Sequence, residues 1–255
     1  MTPRQIRFWS LVRRELSRFW KIKRQTVAAP LLEAFLYISV FGAALGSRIR
    51  QLHGVDYVVF IVPGLVLMSW AMNAYTNNAS SILQQKMQRA IDDQLTSPAS
   101  PMELLLAFSL GGFVRGALVA GITLWLATAL VDMPFEHPLV LVVSLLLCGG
   151  FFAQLGVLAG VRADQWDDIS FIQQFVLTPL IFLGGVFYSA SLLPSPYDVI
   201  TKFDPVYHMI GLVRYGFLGF TDSNVPLSLG VLAVATAALF LLNWRLFTTG
   251  WRLRV

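Results

Sequence analysis

The sequence predicts an all-α polytopic membrane protein, and three observations carry that prediction. Apolar residues make up 56% of the 255-residue chain and charged residues only 13%, where an average soluble domain has about 25% charged residues. Mean hydropathy is +0.66. Six apolar runs approach the roughly 20 residues that a helix needs to cross the hydrocarbon of a bilayer. They fall at about 27–46, 57–78, 104–131, 138–161, 169–188 and 226–248. So few charges cannot cover the outside of a soluble fold. The abundance of apolar side chains excludes disorder, and a single cysteine, Cys148, excludes a disulfide scaffold.

Residues 1–25 read as an amphipathic helix. On a helical wheel over 4–24, Ile6, Trp9, Val12, Leu16, Phe19 and Trp20 share one face, and Arg4, Arg7, Arg14, Arg18 and Lys21 share the other. A basic helix with Trp on its apolar side is expected in the headgroup layer, with membrane lipids as its first partner. It serves either as an elbow that meets a cytoplasmic partner or as a plain topology anchor. The leader and the first run, which contains Pro30 and Glu33, are longer than a signal peptide has, so the first span is expected to stay uncleaved.

Basic residues orient the chain. The leader holds Arg4, Arg7, Arg13, Arg14, Arg18, Lys21, Lys23 and Arg24. Six spans return the C-terminus to the same side, adding Arg245, Arg252 and Arg254; the loops after spans 2 and 4 add Lys86, Arg89 and Arg162. Arg48, Arg50, Lys202 and Arg214 remain opposite. The positive-inside rule then places both termini in the cytoplasm. The net charge of +5 is a topology signal, and nucleic acid is not an expected partner.

Residues 83–101 are the most informative polar stretch. Its first half extends the second span as a polar helix, and Pro98 and Pro101 then stop and turn the chain. Ser100 is placed to cap the next helix, with Pro101 at its first position and Glu103 completing a capping box. A short, rigid, charged element at the inner face results. Toward the other end, 192–220 is aromatic but broken by Pro194, Pro196 and Pro205, which predicts re-entrant or interfacial helices between spans 5 and 6.

At Gln85 to Leu106 the chain resembles the cytoplasmic coupling segment of ABC-2-type transporter permeases, where a charged stretch passes through a Ser-Pro-x-x-Pro-like turn into the third span. A second likeness runs through Leu177-Thr178-Pro179-Leu180-Ile181-Phe182-Leu183-Gly184-Gly185-Val186-Phe187-Tyr188, Leu193-Pro194, Asp204-Pro205-Val206-Tyr207 and Leu212-Val213-Arg214. The family usually has Asn where this chain has Asp204. Length, six spans, basic leader and re-entrant stretch agree, so the likeness covers essentially the whole chain. It is nearest to the YadH-type inner-membrane branch and looser to exporters of nodulation factors, O-antigen and teichoic acid.

The resemblance implies a half-channel: the permease subunit of an exporter in the bacterial cytoplasmic membrane, moving a lipid-linked, glycan or amphiphilic substrate. Two copies pair, as a homodimer, above two copies of a separate ABC ATPase. The sequence contains no G-x-x-x-x-G-K-[ST] phosphate loop. ATP and Mg are therefore expected on the partner ATPase, with no cofactor and no catalytic residue in this chain. The resemblance carries the ATPase-coupling role onto Gln88, Arg89, Asp92, Asp93, Gln94 and Leu95.

Charged and polar residues within spans are candidates for a transport path. Arg115 lies about twelve residues into span 3, roughly 18 Å deep, which places it near the midplane. Glu33, Asn73, Gln154, Gln173 and Gln174 fall at one level in the cytoplasmic third. They either line an inward cavity, with Arg115 attracting an anionic group, or cross-link helices, with Arg115 pairing to Glu33. Phe182, Phe187, Tyr188 and Tyr207 cluster at the outer side, as an external gate or as an aromatic belt. Three glycine pairs at GxxxG spacing, Gly42/Gly46, Gly112/Gly116 and Gly156/Gly160, allow close helix approach within a chain or between copies. Asp164, Asp167 and Asp168 either meet a partner or are solvated. His53, His137 and His208 have no metal-ligand spacing. Two other classes fit less well: a secondary transporter without an ATPase lacks its second broken helix, and a polytopic enzyme acting on lipids lacks a His-containing acidic cluster.

Overall fold

The computed structural model describes residues 2–21, 23–44 and 51–253. Gly46, Arg48, Arg50 and Arg254, used above for packing and orientation, lie outside these residues. The chain opens with α1 (Pro3–Lys21) and α2 (Lys23–Ala44). A two-residue hairpin follows, β1 (Gln51–Leu52) against β2 (Val55–Asp56). His53 and Gly54 turn it with φ of 51° and 83°, the paired left-handed geometry of a tight hairpin.

The long helix α3 (Tyr57–Met87) is the centre of the bundle. Phe60, Ile61, Leu65, Ala71, Tyr75, Ala79 and Ile82 are all shielded from solvent. The helices α5 (Pro101–Leu130) and α6 (Pro138–Arg162) pack on it. Small residues make that approach possible. A Cβ on Gly112 would stand 2.4 Å from Asn78 Oδ1, and one on Gly116 2.4 Å from Trp70 Cδ1. On α6, a Cβ on Gly156 would meet Tyr75 O at 2.5 Å and one on Gly160 would meet Ala79 O at 2.8 Å. Both complete glycine pairs therefore serve packing within one chain, on one helix.

The connection from α3 to the next long helix holds a short helix, α4 (Ala90–Thr96). Ser100 and Glu103 form the expected capping box at the start of α5, with Pro101 in its first turn. After α6 the chain runs through α7 (Trp166–Ile172), a π-helical turn over Gln173–Leu177 and α8 (Thr178–Leu183) without a gap. Pro179 has no N–H for a carbonyl one turn back, and the helix before it widens. The Thr178 N–H bonds to Gln173 O, and the Thr178 hydroxyl bonds the same oxygen at 2.9 Å. The helix stops at Gly184-Gly185, where Gly185 has φ of 92°.

Two helices fill the expected re-entrant stretch, α9 (Tyr197–Phe203) and α10 (Pro205–Leu218), divided at Asp204, whose carboxylate caps α10 by accepting from Val206 N–H. The last helix is α11 (Val225–Thr249). By length and composition α3, α5, α6 and α11 can cross a membrane, and α1 with α2 makes a fifth span if that bent pair is counted as one.

Candidate functional site

One end of the bundle is built from α1, the foot of α3, α4 and the start of α5. α3 closes with Gln88 N–H on Gln84 O at 3.0 Å. Arg89 then takes the left-handed conformation, φ 55°, and turns the chain into α4. Ile91 is buried and Leu95 half-buried against a small core of Ile82, Leu104, Leu105, Phe108 and Phe247. Gln88, Arg89 and Asp93 face solvent, with Asp92 partly so. Asp92 and Asp93 stand in the first turn of α4, where the helix dipole favours them.

Gln94 points the other way. It donates to Gln85 Oε1 and accepts from Arg14 Nη2 at 3.0 Å. Gln85 donates to Glu15 Oε1 at 3.1 Å, and Ser81 donates to Glu15 Oε2 at 2.6 Å. Glu15 is fully buried, with Arg14 at 3.0 Å and Arg18 at 3.9 Å. Arg18 in turn donates to Asn77 O at 2.6 Å and Asn77 Oδ1 at 2.8 Å. One carboxylate thus ties the leader helix, the foot of α3 and α4 into a single polar unit.

Two more contacts fix the surroundings. Arg4 (3.0 Å) and Arg7 (3.1 Å) pair with Glu103. The Ser100 N–H, assisted by Arg7 and Arg4, holds that carboxyl down at about 2. Lys86 caps the end of α6, donating to Val161 O at 3.0 Å and Ala163 O at 2.6 Å. Burial lowers the Lys86 ammonium from its ordinary value, and Asp164 is the main influence opposing it. Asp164 lies 3.7 Å from Lys86 and 3.8 Å from Arg252. Asp168 accepts the N–H groups of Asp164 and Gln165, so two of the three loop aspartates serve the chain itself, and Asp167 is exposed.

The remaining sequence-predicted residues are divided. Gln154 is buried, donating to Ser109 at 2.9 Å and accepting from Asn243 at 2.9 Å. Gln173 accepts from Thr76 at 3.2 Å, and Asn73 donates to its own helix at Ser69 O. Glu33 and Gln174 are exposed on outward faces of α2 and the π turn. Arg115 makes no ion pair with Glu33 and no other hydrogen bond or ion pair among the described residues, and its Nε is buried. It stands within electrostatic reach of Arg18, at the inner network; α1 runs up beside the first half of α5, a course the wheel could not show.

Of the outer aromatics, Phe187 stacks on Phe41 with ring centroids 4.5 Å apart and meets Tyr37 at 5.5 Å and Phe182 at 5.4 Å. Tyr188 bonds back to Leu183 O, and Tyr207 bonds to Asp222 O, each at 2.8 Å. The structure therefore brings Phe182 and Phe187 together with α2 and leaves Tyr207 in a separate contact.

Sequence reasoning missed three residues. Glu15 is the only acid in the basic leader, and that isolation was its signal. Lys86 and Arg214 were counted as topology markers, yet both are buried. Arg214 donates to Gly185 O at 2.8 Å and lies 4.0 Å above the Phe60 ring, fastening α10 to α3 and to the end of α8.

Comparison with known proteins agrees with this architecture. The ABC-2 type transporter family matches residues 6–218. The chain is 42% identical over 247 residues to the inner membrane transport permease YadH of Escherichia coli K12, covering 96% of each chain. It is 28% identical over 241 residues to nodulation protein J of Rhizobium leguminosarum bv. viciae, covering 92% of each, and 26% identical to nodulation protein J of Rhizobium meliloti, covering 92% and 90%. With its several apolar helices the chain is a multi-pass protein of the bacterial inner membrane. It is a transport permease, and it belongs to the ABC-2 type transporter family.

Proposed function

We propose that this chain is the permease subunit of an ABC exporter, driven by a separate ATPase that docks on α4. The observation that carries the reading is the two-sidedness of α4. Its outer side, with the turn at Gln88 and Arg89 that leads into it, offers those two residues, Asp93 and part of Asp92 to solvent, and its inner side is fixed through Gln94 and Gln85 to Glu15. A lever needs both a free face and a rigid attachment. When ATP closes two motor subunits, a push on α4 reaches α1 and α3 through their shared hydrogen-bonded unit, and α5 through the pairs of Arg4 and Arg7 with Glu103.

In this reading α2 and the continuous run α7–α8 complete six spans, with both termini in the cytoplasm. Glu33, Gln174 and Phe182 lie on outward faces of these same segments, and a second copy of the chain placed there turns them inward to line a shared path. Lipid-linked, glycan or amphiphilic molecules are the substrate class, and ATP and Mg belong to the motor. The test is co-purification of the chain in mild detergent with the products of neighbouring genes, followed by an ATP hydrolysis assay. The reading expects an ATPase subunit in the eluate and weaker capture or coupling with Asp92→Ala/Asp93→Ala. A folded chain that brings no ATPase in any detergent overturns it.

A further inference from the structure

α1 and α5 advance side by side. Arg4 and Arg7 meet Glu103, Arg14 lies 5.8 Å over Phe108, and a Cβ on Gly111 would touch Glu15 Cβ at 2.9 Å. One turn further along each helix come Arg18 and Arg115, within electrostatic reach of each other. Arg18 is held by Asn77 and Ser80, whereas Arg115 has a buried Nε with no hydrogen-bond partner. Glu15 serves Arg14 and Arg18, and among the described residues no carboxylate serves Arg115. Positive charge held away from water without a counter-charge is costly, and an unpaired guanidinium fork matches a phosphate.

The level of the pair says which phosphate. From Tyr57, about twenty residues of α3 at 1.5 Å each span the roughly 30 Å of bilayer hydrocarbon and end near Asn77, which Arg18 holds. The arginines then stand where hydrocarbon gives way to inner-leaflet headgroups. Val114, the neighbour of Arg115, closes an apolar groove of about 560 Å³ along α1, lined also by Val12, Leu16, Phe19 and Trp20, with Arg13 at its edge.

We propose that this is a binding site for an anionic phospholipid of the inner leaflet. The headgroup phosphate sits on Arg115, in the positive field of the neighbouring Arg18, and an acyl chain lies in the groove under α1. The inference rests on the permease reading only for the orientation of the chain in its membrane, and motor capture tests that reading separately.

The experiment melts the purified full-length chain in an uncharged detergent while phosphatidylglycerol, phosphatidylcholine or inorganic phosphate is added. A ligand that binds only the folded chain raises its melting temperature. Phosphatidylglycerol is expected to raise it, and phosphatidylcholine and inorganic phosphate are not. Arg115→Gln and Arg18→Gln are expected to weaken phosphatidylglycerol binding at least tenfold, Arg115→Lys to keep most of it, and Arg245→Gln, on an exposed position of α11, to leave it unchanged. Native mass spectrometry counts the retained lipid in the same samples and gives a second readout if Arg115→Gln folds poorly. An undiminished shift in Arg115→Gln and Arg18→Gln overturns the site. An equal response to phosphatidylcholine overturns the charge selectivity, and an equal response to inorganic phosphate overturns the lipid as its source.

Discussion

Arg14 on the leader helix donates a 3.0 Å hydrogen bond to Gln94 on the short helix α4, although eighty positions separate them in the chain. The same Arg14 lies 3.0 Å from the buried carboxylate of Glu15. Anything that displaces α4 therefore strains the leader as well.

Removing the carboxylate tests that joint. Glu15→Ala strands Arg14, Arg18, Ser81 and Gln85 without their common acceptor, and breaking a buried ion pair from one side costs about 3 kcal/mol. Glu15→Gln keeps an acceptor but not the charge, and about 1–2 kcal/mol is expected. Denaturant melts in detergent measure both, and Glu15→Ala is expected to reduce stimulation of the motor more than its melting temperature alone explains.

Arg89 separates backbone shape from charge. Its left-handed φ of 55° suits glycine, so Arg89→Gly is expected to hold stability or raise it by up to about 1 kcal/mol. Arg89→Val places a β-branched residue there and is expected to cost about 1–2 kcal/mol. If Arg89→Gly folds well and still loses motor capture, the exposed guanidinium is itself part of the docking face. Unchanged capture assigns Arg89 to the turn alone.

Gly156 reports on the packing of α6 against α3. A methyl group would come within 2.5 Å of Tyr75 O, a backbone atom that cannot swing aside. Gly156→Ala is expected to destabilise by about 1–3 kcal/mol through overpacking. Gly121, with no atom within 4 Å of its would-be Cβ, is the control, and Gly121→Ala is expected to be neutral or slightly stabilising in its helix.

Glu103 gives a pH dependence of known sign. Its carboxyl is held at about 2 in the folded chain, against an ordinary 4.5. A depressed carboxyl stabilises the fold fully above the unfolded value, and that contribution fades as pH falls from about 4.5 toward 2. Glu103→Gln is expected to be less stable than the parent at pH 7, with the gap closing through that window. A gap that stays constant between pH 5 and pH 2.5 in thermal melts rejects the assignment.

Local chemistry was legible in the sequence. The capping box of Ser100 and Glu103 needs only a three-residue spacing. Burial of single charges was not. Glu15, Lys86 and Arg214 find their partners on α3 and α4, on the end of α6, and at Gly185, and no periodicity reports contacts across such distances. The same limit explains Arg115, whose depth was counted from the start of its own apolar run, while its neighbours are set by where α1 lies. The glycine spacings were visible but silent about their target until α3 was seen to carry both Tyr75 and Trp70.

The length of α3 has a consequence for where this protein can work. Thirty-one residues make a rod of about 46 Å, roughly 15 Å longer than the hydrocarbon of an ordinary bilayer. The surplus forms a stalk that sets α4 at a fixed height beyond the hydrocarbon. A thicker membrane shortens that stalk and draws Glu15 and Gln85 toward lipid, and a thinner one lengthens it and wets the arginines above. Hydrophobic mismatch of a few ångströms is enough to sort membrane proteins between bilayers, so bilayer thickness becomes a control knob on the coupling joint, adjustable by acyl-chain length in reconstituted vesicles without touching the protein.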